Sequence, residues 1–159
     1  MNTIRAVLGK SRFVSEPHLL FTIDDVPLDK VLSDAHPEMD LLGLIPTTLD
    51  WLHDRGEQSV VWSRFLDRSA NRAVIPILCC PDDLDFSCSL VVVEAKFEAD
   101  SVHWLRFGID KTSADRPPNA VGSSVDWLPN AAPFEFERRS YMRMVEAFEQ
   151  GRDEGDGTG

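Results

Sequence analysis

Between Phe86 and Ile109 the sequence alternates with a two-residue period, and this pattern narrows the fold more than any other feature. Val91, Val93, Ala95 and Phe97 share one parity, while Glu94, Lys96 and Glu98 share the other. Successive side chains of a strand point to opposite faces, so Phe86 to Phe97 is predicted to be a strand with one dry face and one wet face. A second run, Val102 to Ile109, sets Leu105, Phe107 and Ile109 against Trp104, Arg106 and Gly108. The link Glu98-Ala99-Asp100-Ser101 makes the two an antiparallel pair. Such a pair must lay its apolar face against a covering layer. The chain can supply one: 159 residues, 43% of them hydrophobic, bury roughly 70% of the unfolded surface without a disulfide or metal staple.

More strands are predicted upstream. His18 to Ile23 is β-prone, and Ser59 to Leu66 and Ala73 to Cys79 read as two strands joined by the polar link Asp67 to Arg72. Pro76 inside the latter run implies an edge or a bulge, because proline cannot donate to the ladder. Leu28, Val31, Leu32 and Ala35 fall on one face of a short helix ending before Pro37. A second helix is expected over Leu49 to Asp54, capped by Thr47 or Thr48 and closed by Gly56. Ser124 to Leu128 and Phe134 to Phe136 extend the sheet, and a last helix covers Arg138 to Glu149 with Tyr141, Val145 and Phe148 on one face. Strands flanked by helices, without alternating β-α units, give an α+β fold: a single domain over residues 1–150, with a central antiparallel sheet and helices on one side. The glycine-rich tail, residues 151–159, has no apolar side chain and is expected to be disordered.

Three motifs bear on chemistry. Pro81-Asp82 (or Asp83) followed by Glu94-Ala95-Lys96 resembles the Pro-Asp…Glu-x-Lys pattern of restriction-type nucleases, in which two carboxylates hold Mg²⁺ and a lysine assists the attacking water. Yet Asp82 to Asp100 carries six acids against one lysine, a field that repels a polyanion. Cys79, Cys80 and Cys88 lack the paired spacing of a structural zinc site, and neighbouring cysteines on a strand face opposite ways. Asp82-Asp83-Leu84-Asp85 lacks the alternating ligands and glycine of a Ca²⁺ loop. His18, His36, His53 and His103 accompany no nucleophile elbow and no phosphate-cradling glycine loop. No metal or cofactor is expected, and no enzymatic activity. A Trp-x-Arg-Phe pattern occurs twice, at Trp62 to Phe65 and Trp104 to Phe107, and reads as two strands whose arginines stack on a neighbouring indole.

Charge carries the functional reading. The net charge is −11, which disfavours nucleic acid and anionic membrane surfaces as partners. Asp24 to Asp40 also holds six acids against one lysine. If the first helix packs near the Asp82 loop, Asp24, Asp25, Asp29, Asp34, Asp82, Asp83 and Asp85 form one patch that steers a basic protein. Trp104, or Trp51 or Trp62, would anchor that contact. The short apolar run after Met1 and the odd cysteine count fit a cytoplasmic protein.

The block Ile75 to Cys88, an apolar strand, and then Val102 to Asp110 together resemble small bacterial proteins, some of them similar to immunity proteins of contact-dependent and other polymorphic toxin systems. The resemblance spans residues 57 to 128 and implies a cytoplasmic, non-enzymatic inhibitor of one cognate toxin domain, with no site residues to carry over. The alternatives are the metal-dependent nuclease and a ligand-binding domain, which a deep apolar pocket with convergent polar groups would favour.

Overall fold

A computed structural model describes residues 1–67, 71–87, 89–112, 115–129 and 132–152. Two antiparallel sheets and three α-helices make an α+β fold. The first sheet is a hairpin of β1 (Ile4–Ser11) and β2 (Val14–Ile23), extended by the short β3 (Val26–Pro27). Only its second strand is anticipated by the sequence, because Ile4 and Ala6 are the only buried side chains of β1. Asp24 and Asp25 form the two-residue turn between β2 and β3, with φ of 51° and 70°. Aspartate tolerates this left-handed backbone, and the primed turn matches the twist of the strands.

The larger sheet runs β4 (Ile45–Pro46), β5 (Arg72–Cys79), β6 (Val91–Phe97), β7 (Ser101–Asp110). Two short strands share the free edge of β7. β8 (Val125–Trp127) pairs with Gly108 to Asp110, and β9 (Phe134–Glu137) with Ser101 to Trp104. Pro76 sits at a register shift between β5 and β6, the bulge its missing N–H calls for. Strand β6 starts five residues later than expected; Phe86 and its neighbours belong to a turn.

The helices are α1 (Leu28–Ala35), α2 (Arg55–Leu66) and α3 (Arg138–Gln150). Two expectations are corrected at α2. Ser59 to Leu66 is helical, and Leu49 to Asp54 is a turn, with Gly56 inside the first helical turn. Asp54 is the N-cap: its Oδ1 accepts from the backbone N–H of Gly56 at 2.7 Å and of Glu57 at 3.1 Å. Val61 and Phe65, four residues apart, are its buried pair. The β-branched run Val60-Val61 imitates a strand, but the cap and the i, i+4 spacing decide the outcome.

A third correction concerns Trp104. The register shifts between Glu94 and Ala95: Glu94 faces Arg106 and Ala95 faces Trp104, leaving Leu105 as an extra residue. The bulge turns Trp104 to the same side as Phe107, reversing the simple alternation. Trp104 is 0% exposed and lies edge-on to Phe107, Phe136, Tyr141 and Phe21. It belongs to the core, so it is not available as a surface anchor. Phe21 also meets Phe65 of α2 and Phe148 of α3. Both sheets and all three helices therefore contribute to one hydrophobic core. The expected disorder beyond residue 152 lies outside the described residues; Gly151 closes α3 in the left-handed conformation, φ 66°.

Candidate functional site

The two acid-rich stretches are used differently by the fold. In the first, Asp24 accepts from the Thr3 N–H at 2.8 Å and from Asn2 Nδ2 at 2.9 Å, and these bonds hold its carboxyl below the usual range. Asp29 accepts from the Gly43 N–H at 2.9 Å, and Asp34 pairs with Lys30 at 3.0 Å. Asp25 is exposed. These carboxylates have local duties in a turn, a loop and a helix face.

The Asp82 loop gathers other acids around it. His53 N–H donates to the Leu84 carbonyl at 3.1 Å, and Phe86 N–H donates to Glu57 Oε2 at 3.2 Å. These bonds dock the loop on the start of α2, so that Asp54 and Asp85 both repel the Glu57 carboxylate. Asp54, Glu57 and Asp110, with Arg116, line a cavity of about 240 Å³ beside the loop. Asp82 and Asp83 are exposed at its tip, while Asp85 Oδ1 accepts from the Ser87 N–H at 2.9 Å. Among the described residues, none of Asp54, Glu57, Asp82, Asp83, Asp85 and Asp110 is within ion-pairing distance of a lysine or arginine. The focus at Asp54, Glu57 and Asp110 is absent from any single stretch of sequence.

Glu57 bears the cost of this gathering. Burial raises its carboxyl above the usual range; the Phe86 N–H opposes that, and Asp54 and Asp85 add to it. A raised carboxyl favours the folded state below its titration range, and that advantage is lost as pH rises through it. Glu57→Gln keeps an acceptor for Phe86 and removes the charge. The variant is expected to melt at or above the parent temperature at pH 7, with the gap closing toward pH 4. Thermal melts at the two pH values check this, and a variant that melts lower at pH 7 would refute it.

The nuclease-like residues are engaged elsewhere. Glu94 binds Arg106 Nε through Oε1 at 2.9 Å and lies 3.7 Å from Arg72 Nη1 through Oε2. Lys96 pairs with Glu98 at 3.1 Å. Arg106 stacks at 3.9 Å on Trp127, an indole reached across the sheet. Its counterpart Arg64 is on α2 and donates to the carbonyls of Val74, Val121 and Asn119 at 2.7 to 2.8 Å, so the two Trp-x-Arg-Phe copies share no structure. Among the described residues no group of three or more His, Cys, Asp or Glu could hold a metal ion. Cys79 is buried, its thiol pushed up to about 12 by burial first and the neighbouring Cys80 and acids second. Cys88 lies outside the described residues.

A larger pocket, about 720 Å³, opens between β2, the turn after β4, α2 and the end of α3. At its floor His18 is 4% exposed, with its ring 5.3 Å from that of Trp51 and its Nδ1 2.7 Å from the Glu16 carbonyl oxygen. His18 Nε2 and Thr48 Oγ1 are buried without a protein partner. Sequence reasoning names Trp51 and Trp62 as anchors, and both line this pocket. It gives His18 and Thr48 no part in binding, since neither stands in a motif. No described helix is long and apolar enough to cross a membrane.

No protein-family model matches the chain, and neither a curated protein nor a solved structure is significantly similar to it.

Proposed function

We propose that the chain is an immunity protein: a cytoplasmic, non-enzymatic inhibitor, without cofactor, that binds a basic nuclease-type toxin domain through its acidic surface. The observation that carries this reading is the contrast between two sets of acids. On the sheet face Glu94 and Glu98 are each paired with a cation, whereas among the described residues Asp54, Glu57, Asp82, Asp83 and Asp85 form no salt bridge, with Arg116 lining their cavity and Arg64 acting at a distance on Asp110. Acids clustered against their own repulsion suit a cationic partner, and a nuclease presents such a surface for its phosphate substrate. A stable complex needs about 800 Å² from each side, and apolar contacts must supply most of its lifetime.

Asp82 and Asp83 are the residues to reverse, because both are exposed at the tip of the loop. Asp82→Lys with Asp83→Lys is expected to slow association with a basic toxin domain, sought among the genes neighbouring this one, by about tenfold or more at low salt. Dissociation should change less, and the protection of cells expressing the toxin should be lost. If the double variant associates and protects like the parent, the Asp82 loop is not the contact surface. If no basic toxin domain binds the parent chain, the immunity reading fails.

One observation favours a second reading, a ligand-binding domain. The pocket beside His18, more polar than apolar in its lining, sets the indoles of Trp51 and Trp62 near buried polar atoms that no protein group satisfies. The nuclease alternative gains nothing comparable, since Glu94 would have to leave two arginines to hold a metal.

A further inference from the structure

We propose that the pocket over His18, Thr48, Trp51 and Trp62 binds a guanidinium group. This deepens the ligand-binding reading and does not depend on the toxin. The first argument is the direction of its hydrogen bonds. A carbonyl oxygen only accepts, so the His18 nitrogen facing Glu16 carries a proton, and Nε2 of the neutral ring presents a lone pair. Thr48, which also lines the pocket, carries a second buried oxygen without a protein partner. Both atoms are buried, and a buried polar atom without a partner is costly. A ligand rich in N–H groups satisfies both.

Charge and shape narrow the ligand further. Glu16, Asp50 and Glu149 line the pocket, and among the described residues no lysine or arginine does. The site therefore repels anions and attracts cations. The indoles of Trp51 and Trp62 are half-buried on its walls. An indole face attracts a cation, and a flat guanidinium stacks on it while its in-plane N–H groups reach outward to acceptors. An ammonium, compact and strongly hydrated, uses such a wall less well. The volume exceeds what the head group fills, leaving room for an aliphatic stem. Leu8 and Leu66, 52% and 37% exposed, line the pocket where that stem would lie. The shared chemistry fits two sources: a free guanidinium compound, or an arginine side chain of another protein.

The test follows the indole N–H resonances of the full chain by NMR while methylguanidinium, methylammonium, argininamide and the peptide Gly-Arg-Gly are added. Methylguanidinium should shift Trp51 and Trp62 saturably and leave Trp104 unmoved. It should bind about tenfold tighter than methylammonium. His18→Phe and, separately, Trp62→Leu should each weaken it by about tenfold while melting within a few degrees of the parent. Trp62→Leu keeps the test decisive if the buried His18 variant fails to fold. Gly-Arg-Gly binding tighter than methylguanidinium assigns the site to a protein side chain; exclusion of the peptide assigns it to a free compound. No saturable shift at Trp51 or Trp62, or equal binding of the two cations, overturns the proposal. A toxin that binds the Asp82 loop without moving these resonances leaves the immunity reading standing.

Discussion

Trp104→Ala is expected to lower the melting temperature by roughly 10–15 °C, following a loss of about 3–5 kcal/mol at about 2–4 °C per kcal/mol in a chain of this size. The indole is fully buried and touches rings from both sheets and α3, so no single neighbour can relax into the space it leaves. Beyond the lost contact area, four edge-to-face ring pairs disappear together. Circular dichroism melts of parent and variant measure the effect. A partner anchor would behave in the opposite way, with melting unchanged and affinity lost. A melting temperature within about 2 °C of the parent would therefore return Trp104 to the surface and refute the bulge at Leu105.

That bulge marks the limit of what the sequence discloses. The parity of Val91, Val93 and Ala95 is legible because all three are buried with no interruption on β6. One strand further on, a single extra residue inverts the pattern, and nothing in Trp104-Leu105-Arg106 announces it. Helix α2 was within reach. Asp54 followed by Glu57 is a helix-start signal, and it outweighs the β-branched pair Val60-Val61 that suggests a strand. β1 is harder, since only Ile4 and Ala6 on it are buried and Leu8, of the same parity, is exposed. The candidate sites are less legible still. Asp82 and Asp83 stand out by charge alone, but Asp54, Glu57 and Asp110 join them only because the loop bonds to the start of α2. His18 lies within β2 and Thr48 in the turn after β4, and they line one pocket only when the first hairpin closes on the larger sheet. Neither gathering leaves a local signature, because both depend on long-range packing.

Val93→Asp is expected to unfold the domain at pH 7 and to be partly rescued by acid. Val93 is 0% exposed and pairs with Ile75 on β5 and Phe107 on β7. No described lysine or arginine shares that interior, so an ionised carboxylate there would be uncompensated and would cost several kcal/mol. Burial raises the titration of such a carboxyl well above that of an exposed aspartate. The folded state then holds its proton more tightly than the unfolded chain does. The deficit therefore grows as pH rises through the raised value and shrinks as pH falls below it. Val93→Asn provides the control, since it buries a polar group of the same shape that does not titrate. Denaturant titrations at pH 7 and at about pH 5 should show the Val93→Asp deficit falling in acid, while that of Val93→Asn stays nearly constant. Equal pH dependence in the two variants would mean the carboxylate escapes to water, which the buried centre of β6 does not allow. A Val93→Asp chain as stable as the parent at pH 7 would remove β6 from the core altogether.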